Sequence, residues 1–346
     1  MSASTTKHDM GFSYRLYCLL LRCYPAPFRR IYAQEMARTF RDSYRAAIQQ
    51  HGRSGVLRWW GVVFYDLVIS LFIEYRSAFK KLLNPIEERQ SKNYMSVTNI
   101  IFAQRTDIGL KRQLNEDSVI SIQPEDQQVM ERKGILFVVA DGMGGHARGE
   151  VASQLAVNTI RDVYYQQESD DLAASLRLAV EQASTRIYHE NMALSPQPEP
   201  DKIMATTCVA AVVQGDSLYV ANVGDSRAYI VRNGQPQQVS LDHSLVAQQL
   251  REGLITKEQA RDHPDRNKIY RCLGYENVEV DTFSEKVQAG DLLLLCTDGL
   301  SELVPEEEVV SIVQQYEPQE SVQHLIERAN EMGGKDNITA VVARVA

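Results

Sequence analysis

Six consecutive apolar residues, Ile135 to Ala140, run directly into Asp141 and then into Gly142, Met143, Gly144 and Gly145. An uninterrupted apolar run of this length suits a strand buried on both faces rather than one that alternates between core and water. Asp141 therefore arrives at the rim of a core, where an ionised carboxylate needs a partner. The glycines permit close backbone approach, and a helical stretch opens near Gly149, which makes the segment a strand, loop and helix unit. Two readings stay open on these residues: Asp141 caps the following helix, or it binds a cation.

Other acidic residues repeat the pattern. Glu116 and Asp117 precede the strand-like SVISI, Asp298 follows LLLLCT and precedes Gly299, and Asp336 stands in GGKDN before ITAVVARV. Several strand ends in one sheet system can meet, and carboxylates meeting without cations would force at least one to take up a proton. Magnesium or manganese relieves this, since both prefer oxygen ligands and a pair held about 3.5 to 4 Å apart needs several negative charges around it. By spacing alone each Asp is equally readable as a turn residue. No cluster of His and Cys offers a zinc site, and His146 and His243 stand apart. The five cysteines, Cys18, Cys23, Cys208, Cys272 and Cys296, form no C-x-x-C pair and are odd in number, which suggests a reducing compartment rather than a disulfide framework.

Charge divides the 346-residue chain. Residues 1 to 95 hold 15 Lys or Arg against 7 Asp or Glu, which leaves 22 against 38 for the remainder, about +8 and -16. In the first part Tyr14, Tyr17, Cys18 and Leu21 recur at helical spacing until Pro25 and Pro27, and a second helix fits Phe28 to Gln50. Trp59 to Ile73 is apolar but only 15 residues long and interrupted by Asp66, short of the roughly 20 that span a bilayer. These patterns predict a helical domain over 1–83 and, from the polar stretch with Pro85, a linker over 84–96. Arg-rich outer faces on such helices are either solvated or docked on a peripheral membrane surface or an acidic partner. No secretory signal is evident, so a cytoplasmic protein is expected, at most peripheral at the inner face of the membrane, with no nucleic-acid partner.

Residues 97–346 change to short strands. Gly215-Asp216 between TTCVAAVVQ and SLYVANV, and Asn233-Gly234 after AYIVR, are hairpin signatures. Helical patterns cover Val151 to Tyr165, Asp171 to Met192, Pro305 to Gln314 and Glu320 to Met332, so strands and helix pairs together predict an α+β domain.

Eight segments in order, RTDIGLKRQLNEDS, VVADGMGGHARGE, ATTCVAAVV, VANVGDSRAY, DHSLVAQQL, RCLG, LLLLCTDGL and GGKDNITAVV, resemble the bacterial branch of the metal-dependent serine/threonine protein phosphatases, type 2C, over about residues 100–346. The resemblance implies an antiparallel β-sandwich flanked by helix pairs, four layers in the order αββα, behind the small all-α N-terminal domain. It implies two manganese or magnesium ions held by Asp117, Asp141, the Gly142 carbonyl, Asp298 and Asp336, with Asp141 bridging and Glu116 an outer-sphere or alternate ligand. It places Arg112 on the substrate phosphate, where a guanidinium fork grips two oxygens at once, and makes Asp201 a candidate for a third ion. The activity implied is direct hydrolysis of phosphoserine and phosphothreonine without a phosphoenzyme, reversing a bacterial kinase; a silent module that only binds phosphoproteins is the alternative. The N-terminal pattern RCYPAPFRRIYAQEM loosely resembles the helical leader of some bacterial permeases.

The chain also departs from that pattern. Met143 follows the Asp-Gly pair where many eukaryotic relatives have His, and Ile203 to Thr207 reads IMATT where GMGTT is usual. Asp225 and Arg227 of VGDSRAY are expected to form a structural ion pair, Cys296 to lie in the core, and residues 242–274 to form a flap beside the site.

Overall fold

The computed structural model describes residues 13–14, 17–24, 40–41, 44, 100–143, 148–195, 203–256, 259–260 and 263–346. The chain divides into two compact units, Met1–Met95 and Ser96–Ala346. In the first unit residues 17–20 are helical and a single 3-10 turn, Leu21–Cys23, closes the segment just before Pro25, with the Tyr24 N–H donating to the Leu21 carbonyl. Tyr17 stacks on Phe40 at 4.0 Å, and Tyr17, Leu21, Phe40 and Tyr44 are buried. The helical spacing read for Tyr17 and Leu21 therefore points those side chains inward. Most of the helix expected over 28–50, the apolar segment 59–73 and the linker lie outside the described residues. No helix among the described residues is long and apolar enough to cross a membrane.

The second unit contains strands β1 (Ile100–Asp107), β2 (Asp117–Ile122), β3 (Ile135–Met143), β4 (Ala205–Thr206), β5 (Cys208–Gln214), β6 (Ser217–Val223), β7 (Arg227–Arg232), β8 (Gln235–Gln238), β9 (Asp281–Lys286), β10 (Leu292–Cys296) and β11 (Ile338–Val345). Helix α1 is Gln127–Lys133, α2 Gly149–Gln166, α3 Leu172–Leu194, α4 Leu245–Arg251, α5 Asp298–Ser301, α6 Glu306–Gln315 and α7 Pro318–Glu331. All strand pairings are antiparallel. One sheet runs β1-β11-β10-β7-β8 and the other β2-β3-β5-β6-β9, with the short β4 paired to the end of β3.

The apolar run of β3 shows why two sheets must stack. Ile135, Phe137 and Val139 enter the core between the sheets, against Leu293, Leu295 and Val341 of the opposite sheet, while Leu136, Val138 and Ala140 face α2 and α3. All six are fully buried, which is the two-sided burial that the run demands. Helices α6 and α7 cover the outer face of the other sheet through Val310, Val313, Leu325 and Ile326.

Both hairpins form as their turn residues require. Gln214 pairs with Ser217 across Gly215-Asp216, and Arg232 pairs with Gln235 across Asn233-Gly234, whose φ angles of 51° and 76° are those that an Asn-Gly turn tolerates. Helix α3 starts one residue after Asp171, whose side chain caps it by accepting from the Ala174 N–H. Helix α7 begins at Pro318, two residues before the expected start, because Pro is well placed in a first helical turn. Helix α1 went unread, being a single short amphipathic stretch capped by Asp126.

Candidate metal and phosphate site

The acidic residues gather at one end of the paired sheets. Asp117 opens β2 and stands directly opposite Asp141 of β3, so the register of a single ladder sets both carboxylates. Strand β3 does not stop before Asp141, as the apolar run suggested, but continues to Met143 and exchanges partners: Gly142 pairs with Thr206 and Met143 with Ala205 of β4. Gly142 also donates its N–H to the Glu116 carbonyl at 3.1 Å. A side chain there would collide with the carbonyls of Glu116 and Gly149, which explains the glycine physically.

Asp298 enters from the other sheet, as the first residue of α5 immediately after β10 and Thr297. The Thr297 hydroxyl donates to Asp117 Oδ2 at 2.9 Å, and the Thr339 hydroxyl lies 2.7 Å from the same oxygen, so β10 and β11 are tied to β2 at this point. Asp336 lies two residues before β11, and its carboxylate accepts from Arg112 at 2.7 Å; the other arm of the Arg112 fork reaches Glu116 at 3.4 Å. Asn337 secures this corner. Its Oδ1 accepts from the Glu116 N–H at 2.8 Å, and its Nδ2 donates to the Ile108 and Leu114 carbonyls at 3.0 Å each.

The electrostatics follow from this crowding. Burial, opposed only in part by the two threonine hydroxyls, pushes the Asp117 carboxyl up to about 7. Asp141 is held well above the usual carboxylate range by burial and by the charges of Asp117, Asp298 and Asp225, and Asp298 is raised by burial and then by Asp336. Burial also raises Glu116, against the pull of Arg112. Two buried oxygens, Asp117 Oδ1 and Asp298 Oδ1, have no hydrogen-bond partner in the protein. As positioned, no three of these side chains close a ligand shell around one point among the described residues. The arrangement is an anionic pocket of oxygen donors with two orphaned atoms, a donor set that fits hard divalent cations, which would remove the proton that crowding otherwise imposes.

Asp201 and His146 lie outside the described residues. The expected Asp225–Arg227 ion pair is not what forms: Arg227 donates through Nε to Asp242 at 2.8 Å and pairs through its other arm at 2.7 Å. The bend at 224–226 breaks the strand alternation between them, so Arg227 enters β7 beside Tyr229 while Asp225 contributes its charge at Asp298 and Asp141. Asp225 is thus a further carboxylate at the pocket. His243 is buried and structural, accepting from the Gly224 N–H at 3.0 Å through Nδ1 and meeting Asp281 through Nε2 at 3.1 Å. Cys296 is buried, as expected.

Sequence reasoning passed over Thr207, Thr297, Thr339 and Asn337. Thr207 accepts from the Asp141 N–H at 3.0 Å and shares a 2.7 Å bond with Ser226, which links β3 at Asp141 to the bend that carries Asp225. The available signal was a hydroxyl or amide within an otherwise apolar strand, or directly beside a suspected ligand.

A two-sheet antiparallel sandwich with a carboxylate pocket at its end and an arginine on its rim is the frame of a metal-binding site, and sequence comparison gives the class and the family. Residues 112–337 match the family model described as protein phosphatase 2C. The chain belongs to the protein phosphatase 2C family. The serine/threonine phosphatase stp of Listeria welshimeri is 39% identical over 245 residues, covering 69% of this chain and 93% of that protein. The serine/threonine protein phosphatase PstP of Mycobacterium tuberculosis is 40% identical over 245 residues, 70% of this chain and 45% of that longer protein. The crystal structure of that enzyme superposes with a TM-score of 0.63 at 39% identity, covering 71% of this chain and 98% of the crystallised one. A structure of the PstP catalytic domain in complex with two manganese ions aligns with a TM-score of 0.61 at 38% identity, covering 71% and 98% of the two chains.

Proposed function

We propose that this chain hydrolyses phosphoserine and phosphothreonine in proteins, with Arg112 gripping the phosphate and Asp117, Asp141, the Gly142 carbonyl, Asp298 and Asp336 holding two divalent cations. It is a metal-dependent serine/threonine protein phosphatase. The observation that carries the assignment of roles is the pair of buried, unpartnered oxygens, Asp117 Oδ1 and Asp298 Oδ1, in a pocket of mutually repelling carboxylates. The chemistry that a manganese or magnesium pair held there would supply is a water activated for direct attack on phosphorus.

The protein's own part is positioning. Pairing of β2 with β3 fixes Asp117 against Asp141, and both would hold the ions. Thr297 and Thr339 hold Asp117 Oδ2 in place and leave Oδ1 free for a cation. Glu116, anchored through its N–H by Asn337, serves as outer-sphere or alternate ligand. Nη2 and Nη1 of Arg112 already donate to Asp336 and Glu116, so a phosphate beside the pocket takes the guanidinium N–H groups that these carboxylates leave unused, or displaces the longer 3.4 Å bond to Glu116. Asp201 is our candidate for a third ion. We read the whole as a four-layer αββα sandwich over 97–346, preceded in the chain by an all-α domain over 1–83 and a linker over 84–96, acting on the products of a bacterial serine/threonine kinase.

Release of phosphate from a phosphothreonine peptide should require manganese or magnesium and should vanish in Asp141→Ala. An unchanged rate in excess chelator would refute the reading. Tight binding of the peptide without turnover would make the chain a phosphoprotein-binding module instead.

A further inference from the structure

Arg112 is framed by leucines. Leu110 is 64% exposed and Leu114 52%, and Ile108 at the start of the same stretch is 38% exposed. These side chains are not the tips of a loose loop. The Leu110 N–H donates to the Gly334 carbonyl at 2.8 Å, the carbonyls of Ile108 and Leu114 are both held by Asn337, and Arg112 between them is fixed to Asp336 and Glu116. The backbone is therefore pinned at Ile108, Leu110 and Leu114, with the Arg112 side chain tied down between them, while the apolar side chains face water. Lys111 adds a second cation to the stretch, so the surface reads as a basic pair between two apolar posts.

Chain length decides what can cover those posts. Two residues span at most about 7 Å, so the Cα atoms of Leu110 and Leu114 lie within that distance of the Arg112 Cα. Residues two places either side of a phosphoserine lie within the same distance of its own Cα. A peptide whose phosphate is held by Arg112 brings its near neighbours over this stretch, where the leucines are the exposed apolar side chains. The occupant is thus the substrate's own chain, because the apolar posts are continuous with the phosphate contact.

We propose that Leu110 and Leu114 read the residues flanking the phosphoresidue, and that the enzyme favours sites with an apolar side chain within two positions of the phosphoserine or phosphothreonine. This rests on the phosphate role of Arg112 given above. Partial burial of one leucine against an apolar partner corresponds to about a tenfold preference.

The test uses the full-length protein with saturating manganese and two phosphothreonine peptides, identical except for Leu or Ser two places before and after the phosphoresidue. The expected ratio of kcat/KM is about tenfold in favour of the Leu peptide, falling towards unity in the double variant Leu110→Ser, Leu114→Ser. Because each ratio is taken within one enzyme, a general loss of activity cancels. Should the double variant fail to fold, each single variant is expected to lower the ratio part of the way. Leu178→Ser, at an exposed leucine of α3, should keep the full ratio. A wild-type ratio near one, a ratio untouched by either substitution, or a dimer that the substitutions dissolve overturns the inference. Equal turnover of both peptides removes this inference alone, whereas no release from either removes the phosphatase reading with it.

Discussion

Asn337→Ala is the most informative single change, because one buried amide ties three points of the 108–116 stretch to the start of β11, more than 220 positions away in sequence. Asn337 is 3% exposed, and its side chain makes bonds of 2.8, 3.0 and 3.0 Å to the backbone of Glu116, Ile108 and Leu114. Alanine deletes all three and strands one N–H and two carbonyls in a space that water only partly fills. At about 1 kcal/mol net for each bond, with a further penalty for every group left dry, the junction should weaken by about 3 to 5 kcal/mol. Part of this will appear as local opening of residues 108–116 rather than global unfolding, since these residues lie at the surface. Urea unfolding measures the global share, and amide exchange across 108–116 measures the local one. With manganese saturating, KM for a phosphopeptide should rise, because Arg112 loses the backbone that aims it. Asn337→Asp keeps the acceptor for Glu116 but abolishes both donations, so it should not rescue. A stability loss under about 1 kcal/mol with unchanged exchange at 108–116 would refute the clasp.

Two further expectations concern the carboxylates. Thr297→Val removes a donor to Asp117 Oδ2 while keeping the shape of the side chain, so calorimetry should find manganese bound about tenfold more weakly; an unchanged Kd would show that the hydroxyl does not orient the ligand. In excess chelator, thermal stability should fall as pH rises through about 7: the Asp117 carboxyl is raised in the folded state from 3.8 to about 7, so its contribution is complete below the lower value and lost above the higher one. His243, lowered by burial, acts in the opposite sense around and below 6.5, so the fall is read as the difference from Asp117→Asn, in which the His243 contribution is the same. Manganese should restore stability at alkaline pH, and a flat melting temperature with chelator present would contradict the crowded pocket.

What could be read in the sequence was what short stretches of chain decide alone. The double burial of β3 follows from six apolar residues in a row, and the Asn233-Gly234 hairpin from residues that tolerate positive φ. The Asp residues at strand ends were visible for the same reason, with Asp117 and Asp141 meeting across one ladder. The Asn337 bond to Glu116 spans 221 positions and has no local signature. The partner of Arg227 was misread because a bend between neighbouring residues turned Asp225 towards the pocket, and no periodicity marks such a bend. Helix α1 was missed because seven residues carry too little apolar repetition to register.

The facing of Asp117 and Asp141 in one antiparallel ladder also makes the site a proofreader of folding. Sliding β2 past β3 by a single residue would invert Asp117 to the opposite face and separate it from its counterpart. With Asp117 and Asp141 holding the ions as proposed, mispaired chains would forfeit that binding energy, and the ions would draw the folding population towards correctly aligned sheets as well as serving the reaction.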